Sequence, residues 1–239
     1  MLQSINHLCG DKIGASDGEI GHIRDFYFDD KHWAVRYMVV DTGSWIFGRS
    51  VLISPHSFSS LYQPGKLMLV NLTRQQIEES PPMDSHKPVT RQYEEAYLRY
   101  YGWPFYWLGG GVWGMNSIPV IPFASDRTSG LDPIQSNHHL VNFDAHLQSS
   151  LDIGRYDVHG GDDLESEPVG KVVDFLMDDQ DWVIRHVVMK TGKWAAEKSM
   201  LLSPDQVVRI ETPSPKLHVS LSREDILQAS TYDEEAIVP

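Results

Sequence analysis

Gly21-His22-Ile23-Arg24-Asp25-Phe26-Tyr27-Phe28-Asp29-Asp30 returns 149 positions later as Gly170-Lys171-Val172-Val173-Asp174-Phe175-Leu176-Met177-Asp178-Asp179. The glycine, the first aspartate, the phenylalanine and the closing Asp-Asp coincide, and Ile23 over Val172 and Phe28 over Met177 stay apolar. Moving outward, the same offset lays Trp33 on Trp182, Arg36 on Arg185, Val39 on Val188 and Thr42-Gly43 on Thr191-Gly192. Trp45 on Trp194 and Ser54-Pro55 on Ser203-Pro204 follow, and the match runs on to Ile77 on Ile226. Twenty positions between residues 20 and 80 are identical to their counterparts between 169 and 229. Upstream, Leu8 to Asp17 aligns with Ile153 to Asp162 at an offset of 145, so the second copy has four extra residues in an acidic loop at 162–168. A period this long is a domain duplicated, not the unit of a solenoid.

Each copy reads as β. Ile20 to Asp29 sets apolar residues among polar ones, and the Asp-Asp that ends it marks a turn, because short acidic side chains bond their own backbone there. Trp33 to Val40 and Trp182 to Met189 are β-branched, apolar and aromatic, as strands of a small core should be. Gly43 and Gly192 sit in the following turns, where positive φ is wanted. Val51 to Ile53 and Met68 to Leu72, with their counterparts, supply further strands. Thr73 and Ser222 read as N-caps of short closing helices. Strands this short with regular turns predict a small closed barrel in each copy.

The order of these residues resembles the PRC-barrel domain. The pattern runs hydrophobic-Gly-x-hydrophobic-x-Asp, Asp-Asp and Trp, Arg-x-hydrophobic-Val, Thr-Gly-x-Trp and Leu-x-Ser-Pro. That domain forms the cytoplasmic part of the photosynthetic reaction centre H subunit and the C-terminal part of a ribosome maturation factor. The Tyr-Tyr-Gly-Trp-Pro-Phe-Tyr-Trp segment between the copies is similar to stand-alone bacterial tandem PRC-barrel proteins. The resemblance implies an adaptor and transfers no catalytic residue. The chain lacks the membrane helix of a true H subunit and the RNA-binding domain of the maturation factor. The expected architecture is mainly β: a first PRC-barrel domain at 1–80, a Pro/Gly/aromatic, partly helical linker at 81–137, and a second PRC-barrel domain with acidic loop and tail at 138–239.

In the linker, 91 to 101 reads as a helix with Tyr93, Tyr97 and Tyr100 on one face. Tyr101, Trp103, Phe105, Tyr106, Trp107 and Trp113 follow among glycines and prolines. These aromatics pack onto the barrels and set their orientation, or form the surface a protein partner takes, or, against the lack of flanking basic residues, meet a membrane interface. No charged side chain occurs from Tyr100 to Ser125, but three prolines and five glycines break the run, so no membrane-spanning helix is expected. The first thirteen residues carry no apolar run of signal-peptide length.

With 20 Lys and Arg against 33 Asp and Glu, the formal charge is −13, which opposes binding to a phosphate backbone. Nine basic against 19 acidic residues fall after position 137, so most of the excess lies in the second copy. The one cysteine, Cys9, excludes an internal disulfide and suits a reducing compartment. His138, His139 and His146 lack metal-site spacing, and the chain has no nucleophile elbow and no phosphate-binding glycine loop. No cofactor, metal or catalytic residue is expected.

Gly21, Asp25, Trp33, Arg36, Gly43 and Trp45, with Gly170, Asp174, Trp182, Arg185, Gly192 and Trp194, are the repeated positions expected to hold the fold. Asp25 with Arg36, and Asp174 with Arg185, are expected to form cross-strand ion pairs or to bond loop backbone. The functional expectation is a non-enzymatic, cytoplasmic interaction or scaffold protein with a protein partner and room for a homodimer. The alternative is a membrane-peripheral assembly or regulatory factor for a photosynthetic or electron-transport complex, resembling the H subunit.

Overall fold

The computed structural model describes residues 1–46, 48–58, 67–83, 88–120, 147–161, 167–192, 197–212 and 214–232. The fold is mainly β, in two sheets with one copy supplying the body of each. In the first copy the strands are β1 (Leu2–Ser4), β2 (Lys12–Ala15), β3 (Gly18–Asp29), β4 (Ala34–Asp41), β5 (Ser50–Ile53) and β6 (Met68–Leu69). In the second they are β7 (Leu147–Ser149), β8 (Asp157–Gly160), β9 (Gly170–Asp178), β10 (Ile184–Thr191), β11 (Ser199–Leu202), β12 (Val207–Glu211) and β13 (Lys216–Val219). The sheet orders are β5-β4-β3-β2-β6 and β11-β10-β9-β8-β13-β12, so the second follows the path of the first and adds β12 at its end. Among the described residues neither sheet closes on itself, so two open sheets stand where closed barrels were expected.

Local choices follow from the repeated letters. Gly21 has φ +157°, and a Cβ there would lie 2.0 Å from the Asp41 carbonyl oxygen; at Gly170 it would lie 2.5 Å from that of Lys190. Only glycine lets the neighbouring strand approach so closely. Thr73 caps α2 (Arg74–Glu78) and Ser222 caps α5 (Arg223–Gln228), each in a reciprocal capping box, as expected from sequence. Helix α3 spans Arg91–Tyr101, starts on Thr90 and stops at Gly102 with φ +71°. The core runs without interruption from one copy to the other, through Phe26, Phe28, Val35, Met38 and Ile53 to Phe175, Val187, Met189 and Leu202.

The sequence boundaries do not follow sheet membership at two places. β1 pairs antiparallel with β9 of the other copy, Leu2 opposite Asp178 and Ser4 opposite Leu176. β7 pairs with β3 in the same way, Leu147 opposite Asp29 and Ser149 opposite Tyr27. The geometry of β3 explains the vacancy that β7 fills. One edge of β3 is taken by β4, and β2 covers only Gly18 to His22 on the other. The remaining edge, Tyr27 to Asp29, has unpaired backbone groups that a strand must satisfy. The short helices α1 (Ile5–Leu8) and α4 (Ser150–Ile153) follow the two exchanged strands.

Candidate functional site

Asp25 and Asp174 lie where the short edge strands meet. Asp25 Oδ2 accepts from Ser149 Oγ at 2.6 Å, and Oδ1 accepts from Ser150 Oγ at 2.9 Å and Leu151 N at 3.0 Å. All three donors belong to the second copy. Asp174 mirrors this: it accepts from Ser4 Oγ and, at 3.0 Å, from Asn6 N. Each aspartate also accepts the backbone N–H of the phenylalanine after it, at 2.7 Å. Ser4 and Ser149 act twice, because each also caps α1 or α4 by accepting from His7 N or Asp152 N. Burial pushes the Asp25 carboxyl up, and its hydrogen bonds from Ser149, Leu151, Ser150 and Phe26 oppose that shift.

The expected Asp25–Arg36 and Asp174–Arg185 ion pairs are therefore not formed, and both aspartates take the other expected course of bonding backbone, at Leu151 and Asn6. Register is the reason: Asp25 stands opposite Val39, whereas Arg36 enters β4 at the level of Tyr27 and Phe28, across a β-bulge. Arg36 instead reaches Asp29, with Nε and Nη2 both 2.7 Å from Oδ2, and Nη1 donates to the Val112 carbonyl at 2.7 Å. Its guanidinium lies 3.9 Å from the Tyr106 ring centre and 4.7 Å from that of Trp113, and the whole residue is 1% exposed. Arg185 pairs with Asp181 at the surface, its side chain 44% exposed. One letter thus serves a buried ion pair in one copy and a solvated one in the other.

The linker accounts for that difference. Tyr97, Trp103, Tyr106 and Trp113 are buried, and Tyr93, Tyr101, Phe105 and Trp107 are partly buried against the core. Of the alternatives, the buried members follow the first and pack the segment against the core, while the partly buried ones keep a face towards solvent. Tyr100 is 41% exposed. Tyr97 donates to the Leu52 carbonyl at 2.7 Å, and Trp113 Nε1 donates to the Asp181 carbonyl at 2.8 Å, tying the segment to both copies.

Beneath it lies a group that sequence reasoning missed. Glu94, fully buried on α3, accepts from Tyr106 Oη at 2.6 Å and Tyr37 Oη at 3.1 Å, and lies 3.1 Å from Arg91. Burial, then the Glu94 charge, pushes both phenols well above their usual range. A Glu-Glu pair in a Tyr- and Arg-rich helix reads as solvated, and only its position one residue after Tyr93 hinted at the buried face. The exchanged strands had a clearer signal: Leu2-Gln3-Ser4 is repeated as Leu147-Gln148-Ser149.

His56 is 1% exposed, lies 5.8 Å from Trp103 and 5.1 Å from Trp113 between ring centres, and is held by Ser54 at 3.2 Å. Burial, helped by Arg36, pushes its imidazole down to about 4. Below the ordinary value of 6.5 the unfolded chain takes up a proton that the folded chain refuses. Stability therefore falls as pH drops from 6.5 towards 4, by about 3 kcal/mol in total, and then levels. Urea unfolding at stepped pH should show this loss, and His56→Gln should flatten it; an unchanged slope in the variant contradicts the assignment.

The other described repeated positions lie in turns and at the contact between the two copies. Trp33 and Trp182 adopt left-handed φ of 54° and 59°, and their carbonyls accept Ile184 N at 2.7 Å and Val35 N at 2.8 Å across the two copies. Gly43 has φ +54°, and Gly192 N donates to the Val169 carbonyl at 3.3 Å. Trp45 is partly buried, with the Arg74 guanidinium 4.3 Å from its ring centre. Trp194, His138, His139, His146 and residues 162–166 of the acidic loop lie outside the described residues. Burial pushes the Cys9 thiol up to about 12, so at neutral pH it is not a thiolate nucleophile. Among the described residues no three His, Cys, Asp or Glu side chains are placed to hold a metal ion, and no helix is long and apolar enough to cross a membrane. The chain matches no protein-family model and no curated protein.

Proposed function

We propose that the chain is a non-enzymatic adaptor of the cytoplasm, built from two PRC-barrel-type modules and recognising a protein partner. The observation that carries this reading is the use made of the repeated polar residues. Asp25 and Asp174 spend their acceptor capacity on the other copy's backbone and serines, and Arg36 is enclosed by Asp29, Tyr106 and Trp113. The letters that recur are thus engaged in shape, which supports a scaffold over a reaction centre. The negative net charge supports a protein partner over a nucleic acid.

The contact surface we assign is the end of the aromatic segment. Leu108 is 50% exposed, Met115 86%, Ile118 50% and Val120 37%, a concentration of apolar side chains beside the buried clamp. Leu108→Asp with Met115→Asp should leave the melting temperature within about 2 °C of the parent, since neither side chain is buried. The same variant should lose a partner that the parent chain retains in cross-linking from its native host. Equal recovery of that partner by both proteins contradicts the assignment. Sedimentation of the parent with anionic vesicles, lost in high salt, would favour the membrane-peripheral role instead. A turnover abolished by Asp25→Asn in a folded chain would overturn the non-enzymatic reading.

A further inference from the structure

Each copy carries a donor and a receiver. The donors are residues 2–6 and 147–151; the receivers are the free edges of β9 and β3, with Asp174 and Asp25 at their ends. Every donor is seated on the receiver of the opposite copy. Between these two seats, Ala34 bridges Val183, Val35 N donates to the Trp182 carbonyl and Ile184 N to the Trp33 carbonyl. Applying the 149-residue offset exchanges these bonds with one another, so the contact presents the same patch from both sides. That is the form of a two-fold homodimer interface, here contained in a single chain.

We infer that this contact is an assembly surface in its own right, whose partner is the opposite half of a second copy of this chain. The N-terminal half of one molecule takes the C-terminal half of another through the same two strand exchanges. Pairing within the chain prevails at low concentration because the covalent connection holds the halves at high effective concentration. The inference rests on the pairing pattern and is independent of the adaptor reading.

The test starts from the full chain carrying a specific protease site between Ser129 and Gly130. The folded monomer is cut and then analysed by size-exclusion chromatography and native mass spectrometry. The two pieces should remain a one-to-one complex. When cut protein and its isotopically heavy counterpart are unfolded together in urea and diluted, complexes of a light N-terminal piece with a heavy C-terminal piece should form in statistical proportion. Pieces that part on cutting, whether folded or not, overturn the inference, and so does failure to re-form complexes on dilution. Asp25→Ala with Asp174→Ala, introduced into the same chain and checked by circular dichroism before cutting, should weaken retention on the order of a hundredfold or more. Retention equal to the parent's would place the contact elsewhere and overturn the inference. If the doubly substituted chain does not fold, the single Ser149→Ala variant, which deletes one donor to Asp25, replaces it. Its cut pieces should separate at roughly tenfold higher concentration than the parent's, and no change contradicts the inference.

Discussion

Asp25→Ala should lower the unfolding free energy by about 3–5 kcal/mol, measured by urea denaturation. The carboxylate is 6% exposed and accepts four hydrogen bonds, three of them from the other copy. Deleting it leaves the Phe26 and Leu151 amides and the Ser150 hydroxyl without that acceptor at a site water scarcely reaches, and each such loss costs about 1–3 kcal/mol. Asp25→Asn should cost much less, since the amide oxygen can accept the Oδ1 bonds and the NH2 can donate to Ser149. The two variants also differ from the parent in pH response. Because burial raises the Asp25 carboxyl above its ordinary value, the folded chain takes up that proton before the unfolded chain does. Its ionisation therefore subtracts stability at neutral pH, and acidification through the raised value returns it. Asp25→Asn removes this contribution and leaves the opposing His56 loss in place. Should Asp25→Ala melt with the parent, the aspartate is not the anchor described.

Arg36→Met should be about as damaging, at about 3–5 kcal/mol, while Arg185→Met should cost less than about 1 kcal/mol. The two arginines occupy the same position of the repeat, so the contrast isolates environment from identity. Without Arg36, the buried Asp29 carboxylate keeps only the His32 amide at 2.7 Å and the imidazole at 3.1 Å. The Tyr106 and Trp113 rings lose the planar cation between them, and Val112 loses its donor. Arg185 is half-exposed and its partner Asp181 can turn to water. Asp29→Asn in the Arg36→Met background should recover part of the loss, because it removes the uncompensated charge. Equal effects of Arg36→Met and Arg185→Met would mean that the aromatic segment does not bury the first.

Much of this architecture was legible in the chain. The duplicated letters located β3, β4, β5 and β6 with their counterparts but not β1, β2, β7, β8 or β12, Thr73 and Ser222 announced their helices, and the Tyr spacing placed α3 to the residue. Local pattern carries such information because periodicity and capping act over a few residues. It carries none about which copy a three-residue strand joins. Leu2-Gln3-Ser4 fits the edge of β3 or of β9 equally well as a sequence, and β2 and β8 leave the same vacancy on both. The partner of Arg36 was hidden for a related reason, since bulges in β3 and β4 shift the register that alternation would assign. Glu94 was hidden because a buried carboxylate and a solvated one look alike until the phenols of Tyr37 and Tyr106, distant in sequence, are brought to it.

The sequence differences between the copies make sense against the same frame. Tyr37 and His56, both buried beneath the aromatic segment, are matched by His186 and Asp205 in the second copy, where Asp205 is exposed. Aromatic character is kept at these two positions where the described part of the linker covers the sheet, and the exposed Asp205 shows it relaxed to polar, as burial cost requires.

The central claim is the reciprocal exchange of the two N-terminal strands, and nuclear Overhauser contacts in the intact chain test it most directly. Backbone protons of residues 2–4 should show cross-strand contacts to 176–178, and those of 147–149 to 27–29. Contacts from 2–4 to 27–29, and from 147–149 to 176–178, would show each strand at home in its own copy and contradict the account.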